Sequence, residues 1–331
     1  MPRDDTDLLV EFDPATSDGM PLVSLGADEL AVKDLPPREF LLDPILRRKG
    51  LAMLYGPRGL GKTHVALGIA WAVATGASFL RWKASRPRRV LYVDGEMPAG
   101  DIQERLRLLG TAPPGLRFLL ADLQDGAIPD LGSPPGQAAL ERHWQADAAP
   151  PDLLVIDNLS SLIGMINDND AESWSAMQSW LLRLRRRGIS VLLVHHAGKG
   201  GQQRGTSRRE DVLDMVLALR RPSDYRAKDG ARFEIHVEKA RGLFGDATEP
   251  FEARLQTDSA GRPMWSWTAV QDAEFDRAVE LFNDGVSAVD AAEELGISRA
   301  SAYRLRKRAQ ERGLVAAADR VSPSLPLGIE T

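Results

Sequence analysis

The sequence predicts an α/β fold, with a central, mostly parallel sheet and an antiparallel extension, joined to a small all-α domain. Three observations predict it. From residue 50 onward, short apolar runs alternate with helical patterns, as in parallel sheets covered by helices on both faces. After 211 the runs shorten and are separated by polar turns such as Lys228-Asp229-Gly230, which suits antiparallel pairing. From 272 to 313 the pattern is helical throughout, in three short pieces.

The elements follow in order. Residues 1–24 are rich in Asp, Pro and Gly without periodicity and read as a flexible acidic arm. Residues 25–49 carry Pro36-Pro37 and Pro44 and then Arg47-Arg48, a lead-in expected to pack on the main domain, which spans 25–270. Parallel strands are expected at Leu51–Tyr55, Val90–Asp94, Leu116–Ala121, Leu153–Asp157 and Ser190–His195. Helices are expected at Thr63–Thr75, Ala99–Leu109, Gln137–Ala146 and Ala171–Arg187. The antiparallel strands are Met215–Leu219, Arg232–Glu238, Phe251–Gln256 and Met264–Val270. A helical domain covers 271–315, and the Ala-, Ser- and Pro-containing tail, 316–331, is expected to be disordered.

Composition narrows the chemistry. The 331 residues contain no cysteine, which excludes disulfides, thiolate metal sites and a cysteine nucleophile. The start, Met1-Pro2-Arg3-Asp4-Asp5, has no apolar segment of a signal peptide. The most apolar stretch, Val65 to Leu80, is interrupted by Gly68, Gly76 and Ser78 and is shorter than the roughly 20 residues a bilayer span needs. The expectation is a cytoplasmic protein with no membrane partner. The formal net charge of −5 is an average that conceals strong local asymmetry.

Gly56-Pro57-Arg58-Gly59-Leu60-Gly61-Lys62-Thr63 fills the pattern G-x-x-x-x-G-K-[ST] completely, between a strand and a helix. Glycines let backbone N–H groups turn inward around a β-phosphate, and the helix N-terminus adds partial positive charge. Lys62 neutralises the β- and γ-phosphates and the Thr63 hydroxyl holds Mg²⁺, so the expected ligands are ATP and Mg²⁺. His64 completes the expected nucleotide-binding run. Leu153-Leu154-Val155-Ile156-Asp157, an apolar strand ending in a carboxylate, is a Walker B arrangement in which Asp157 meets Mg²⁺. Val90-Leu91-Tyr92-Val93-Asp94-Gly95-Glu96 ends in acid as well. Hydrolysis needs a base for the attacking water. Glu96 is the leading candidate, just past the strand end where ligands gather on open α/β sheets, and Asp94 competes with it.

These motifs resemble those of RecA-like hexameric ATPases, and most of all RepA-type plasmid replicative helicases, over roughly residues 45–270. The resemblance implies a RecA-like P-loop NTPase fold and makes Glu96 the catalytic base. The run Leu193-Val194-His195-His196-Ala197-Gly198-Lys199-Gly200 is similar to the strand end at which the family carries a γ-phosphate-sensing polar residue. One of His195 and His196 should face the nucleotide, and His196 is favoured, since strand neighbours point to opposite faces. The segment from Lys199 to Arg209 holds four positive charges and no negative one. It matches the position of a central-channel loop on single-stranded DNA, with Lys199 and Arg204 as contacts. Glu238-Lys239-Ala240-Arg241-Gly242 resembles the family's K-x-R pair, which makes Lys239 and Arg241 fingers onto a neighbouring subunit's γ-phosphate, both expected on one strand face. The partners so implied are further copies of the chain, in a ring expected to be a hexamer.

Residues 288–307 match a helix-turn-helix. Ala292 is small where helices touch, Gly296 supplies the turn, and Ser287 and Ser298 are natural N-caps. The second helix of such a pair enters the major groove of duplex DNA with its N-terminus first. That places Arg299, Ser301 and Arg304 near base edges and Lys307 and Arg308 near phosphates. Residues 298–312 hold six basic residues against one acid, Glu311. The sequence therefore reads as an ATP-hydrolysing, DNA-binding motor of the RepA helicase type. A DNA-binding regulator or partition ATPase that uses ATP as an assembly switch is the second reading. A kinase is the third, without an acceptor-site motif to support it.

Overall fold

A computed structural model describes residues 23–35, 37, 39–145, 149–163, 171–196, 211–222, 225–259, 263–270 and 273–316. The chain divides into two units, Met1–Arg38 and Glu39–Thr331. Within the first, helix α1 (Ala27–Val32) occupies part of the lead-in. The Glu29 carboxylate accepts the Gly26 N–H at 2.8 Å, and none of the helix's residues is buried.

In the second unit, the described residues form a nine-stranded sheet. Its strands are β3 (Leu51–Gly56), β6 (Val90–Asp94), β7 (Leu116–Leu120), β8 (Leu153–Asp157), β9 (Ser190–His196), β10 (Met215–Arg220), β11 (Arg232–Ala240), β12 (Phe251–Thr257) and β13 (Pro263–Ala269). Their order is β13-β12-β11-β10-β3-β9-β8-β6-β7. Pairing is parallel from β10 through to β7 and antiparallel from β10 out to β13. This is the expected α/β sheet with its antiparallel extension.

Strand alternation builds a core on each face. Ala52, Leu54, Tyr92 and Val155 join the cluster under helix α2 (Lys62–Thr75). Leu51, Met53, Val93 and Ile156 join the cluster under α4 (Pro134–Gln145), the short α5 (Leu159–Leu162) and α6 (Ala171–Arg186). Helix α3 (Ala99–Leu109) adds Ile102 to the first cluster. Two small hairpins were not anticipated: β1 (Phe40–Leu42) with β2 (Leu46–Arg47), and β4 (Ser78–Phe79) with β5 (Trp82–Lys83). The second places Phe79 against Gly68 of α2, where a Cβ would come within 2.2 Å of the ring.

Helices α7 (Ala273–Asn283), α8 (Ala288–Leu295) and α9 (Arg299–Glu311) have a core of their own, with Phe275, Phe282, Ala291 and Ala302 at its centre. Ser287 caps α8 by accepting the Asp290 N–H at 3.2 Å, and Ser298 caps α9 by accepting the Ser301 N–H at 3.1 Å. Gly296 joins the two helices at φ 66°, in the left-handed region. No helix among the described residues is long and apolar enough to cross a membrane.

Candidate functional site

β3 ends at Gly56, and the loop to Gly61 feeds directly into α2. Two glycines make this turn possible. A Cβ on Gly56 would lie 2.9 Å from the Leu219 carbonyl oxygen, and Gly61 sits at φ 103° against the Phe233 ring. The loop, α2 and the tips of β6, β8 and β9 bound a cleft of about 320 Å³, within the range of small-ligand sites. Its lining includes Gly59, Leu60, Gly61, Lys62, Thr63 and His64, faced by Glu96, Asp157 and His196. The expected nucleotide-binding run and the three expected functional side chains are thus brought together; Gly56, Pro57 and Arg58 belong to the loop's approach.

Lys62 is 5% exposed. Its ammonium donates to the carbonyls of Gly56 at 3.0 Å and Pro57 at 2.8 Å. Burial pulls it down to about 8, while the carboxylates of Asp157 and Glu96 favour its charged form. Asp157 is buried beside it, and burial pushes its carboxyl up. Two hydroxyls oppose that shift by donating to the carboxylate: Tyr92, at 2.6 Å to Oδ2, and Thr63. One buried carboxylate with an adjacent hydroxyl is a hard-oxygen donor set suited to Mg²⁺, which needs few protein ligands when phosphates supply the rest. Among the described residues no cluster of three or more His, Asp or Glu is arranged to hold a metal.

Asp94 and Glu96 occupy different environments. Asp94 is 1% exposed, and its Oδ1 accepts the N–H groups of Glu96 at 2.9 Å and Met97 at 2.7 Å. It therefore shapes the turn, and burial pushes it up to about 6. The Glu96 side chain is 60% exposed, which leaves room for a water molecule. Its Oε2 lies 3.5 Å from His196 Nε2 and accepts a hydrogen bond from Asn158 Nδ2. Burial and the nearby Lys62 hold His196 below the usual histidine range, toward the neutral form. His195, its strand neighbour, is buried and does not line the cleft. Burial and Arg105 of α3 also bring His64 down to about 4.

Lys239 and Arg241 are elsewhere. Lys239 pairs with Val216 and Ala240 with Met215, which lie beside Met53 and Ala52 at the start of β3. The phosphate loop begins at the other end of β3, four residues and about 13 Å away along the strand. β11 ends at Ala240, one residue before Arg241. The Arg241 backbone N–H bonds the Asp214 carbonyl at 2.8 Å and its guanidinium turns to the Asp211 carbonyl. Lys199 and Arg204 lie outside the described residues.

On α9, Arg299, Arg304 and Lys307 are exposed. Ser301 accepts from Arg304 Nη2 at 3.0 Å. The Arg308 guanidinium stacks over the Phe275 ring of α7, 4.4 Å from the centroid, a cation–π contact within the three-helix packing. Sequence reasoning missed Tyr303, which is 57% exposed on the same stripe. It also missed Tyr92 and Asn158. Tyr92 precedes Asp94 by two, an alternation that places it on the same face, and Asn158 was visible only as a helix-capping residue type after a strand.

A phosphate loop between β3 and α2, with β9 lying between β3 and the carboxylate-bearing β8, defines a nucleotide-binding α/β protein of the RecA-like ATPase class, here with a C-terminal helix-turn-helix. Residues 18–202 match the family described as the AAA domain. That is more than half of the chain, and the chain belongs to this family. Residues 277–318 match the homeodomain-like domain family. The DNA repair protein RadA of Brucella abortus (strain 2308) is 25% identical over 174 residues, covering 51% of this chain and 33% of that protein. The chain thus spans about a third of the length of this relative. The crystal structure of a KaiC-like protein from Pyrococcus horikoshii OT3 is similar with a TM-score of 0.49 at 14% identity, covering 70% of this chain and 99% of that one.

Proposed function

We propose that the protein is an ATP-hydrolysing motor that acts on DNA, of the RepA-type replicative helicase kind, working as a ring on single-stranded DNA and using its helix-turn-helix on duplex. The observation that carries this reading is the convergence of Lys62, Thr63, Asp157, Glu96 and His196 on one cleft. The Glu96 carboxylate takes a proton from a water molecule as the water oxygen bonds to the γ-phosphorus. The bond from that phosphorus to the bridging oxygen breaks, and its electron pair leaves with ADP. Lys62 exchanges its two loop carbonyls for phosphate oxygens, with its charge favoured by the two carboxylates nearby. Neutral His196 faces the γ-phosphate position beside Glu96. Thr63 and Asp157 would hold Mg²⁺, which would neutralise phosphate charge when bound. Lys239 and Arg241, remote from their own cleft, are the cations for a neighbouring copy's γ-phosphate. Arg299, Arg304 and Lys307 serve duplex contacts.

Lys62→Ala should abolish hydrolysis, and an unchanged rate in the purified variant would refute the site assignment. Arg241→Ala should regain turnover when mixed with Lys62→Ala subunits; no recovery at any ratio would count against action in trans. A strand-displacement assay on a forked duplex tests the motor. ATP-dependent unwinding supports it, whereas tight duplex binding without unwinding points to a regulator that uses ATP as an assembly switch.

A further inference from the structure

We propose that Asn158 is a positioning residue for the hydrolytic step: it holds the Glu96 carboxylate in the orientation that accepts the proton of the attacking water. This rests on the reading of Glu96 as the base. Asn158 is 3% exposed and follows Asp157 at the tip of β8. Both ends of its amide are engaged. Oδ1 accepts the Ser161 N–H at 3.2 Å and caps α5, and Nδ2 donates to Glu96 Oε2.

The backbone around it is built to bring the two tips together. The Gly95 N–H bonds the Asp157 carbonyl at 2.9 Å, extending the β6–β8 pairing past the end of the strands. Gly95 also leaves room for α5: a Cβ there would lie 2.5 Å from Ser161 Oγ and 2.7 Å from Leu162 Cγ. Glu96 itself is largely exposed and sits on a turn, where a carboxylate without a partner samples several rotamers. The buried amide removes that freedom at one oxygen. The other oxygen stays available to water, and His196 approaches from β9. Three neighbouring strand tips thus set one carboxylate, with Asn158 at the β8 tip donating to Oε2 and His196 Nε2 3.5 Å from the same oxygen.

The cap and the donor can be separated. Asn158→Ser keeps an N-cap oxygen for the Ser161 N–H but cannot reach Glu96. Asn158→Asp keeps the acceptor as well and replaces the donor with a second carboxylate. Misplacing a catalytic group by about 1 Å costs on the order of 100-fold in rate. Asn158→Ser should therefore lose about 10- to 100-fold in kcat for ATP, with KM, the affinity for a fluorescent non-hydrolysable ATP analogue and Tm close to wild type, and Asn158→Asp should lose at least as much kcat. Glu96→Gln is measured alongside them. If it abolishes turnover while Asn158→Ser keeps wild-type kcat, the positioning role is overturned and the base assignment stands. If Asn158→Ser loses analogue binding or Tm in proportion to kcat, its role is structural and the proposal fails. If Glu96→Gln keeps wild-type turnover, the base assignment fails and the positioning role with it.

Discussion

Tyr92→Phe removes a single oxygen from the interior of the site. The Tyr92 ring is fully buried and packs on Phe118 with centroids 5.4 Å apart, and phenylalanine keeps that contact. What disappears is the 2.6 Å hydrogen bond to Asp157 Oδ2, leaving a buried carboxylate with one donor fewer. A hydrogen bond to a charged group contributes about 1.5–3 kcal/mol, and an unsatisfied buried acceptor costs a similar amount. At roughly 2–4 °C per kcal/mol for a large domain, the melting temperature of the Mg²⁺-free protein should fall by about 3–12 °C. Differential scanning calorimetry or a urea titration reads this directly. A shift under about 1 °C would mean that Asp157 does not depend on this hydroxyl in the folded state, and the electrostatic account of the site would be wrong.

Three further outcomes are expected. Gly68→Ala gains about 1 kcal/mol of helix propensity but forces a methyl into Phe79, itself packed edge-on against Trp265. Overpacking costs about 1–3 kcal/mol, so urea unfolding should show a net loss, and a gain would show that the hairpin yields. His64 and Asp94 give opposing pH slopes. The unfolded chain protonates His64 below 6.5 while the fold resists until about 4, so acidification through that window destabilises. Asp94, pushed up to about 6, holds a proton in the fold that the unfolded chain releases down to 3.8, so acidification stabilises. His64→Gln removes the first slope, and its melting temperature relative to wild type, without Mg²⁺, should climb as pH falls from 6.5 to 4.5; a constant difference would contradict the sign. Arg304→Ala should weaken duplex binding and relax preference at one base pair by about 1–3 kcal/mol, which a competition titration against a selected site measures; uniform weakening across sequences would make it a phosphate contact instead.

How legible the protein was depended on the range of the interactions. The phosphate loop, the alternating strands and the caps at Ser287 and Ser298 are local patterns, and each was readable from a few neighbouring residues. The hairpins at Phe40–Arg47 and Ser78–Lys83 have strands of only two or three residues, too short for a period to register. Asn158 and Tyr92 act across strands that are 62 and 65 residues apart from their partners in sequence, and nothing local marks such a contact. The contact of Arg308 was hidden for the same reason, since the Phe275 ring it covers lies on another helix. β11 runs on to Ala240, past the Glu238 at which the sequence pattern stops, and strand ends are the least readable feature of a strand.

The position of Lys239 and Arg241 at the starting edge of β3, opposite the phosphate loop, has a consequence for assembly. In the proposed ring, a subunit whose cleft and cation pair lie at opposite ends of the strands cannot satisfy itself and would join its neighbours head to tail, by a heterologous contact. An open row of such subunits always ends in one cleft with no incoming cation, and closure of the ring removes that vacancy. Specific activity should then rise with protein concentration and level off when rings close, so that turnover itself counts the ends.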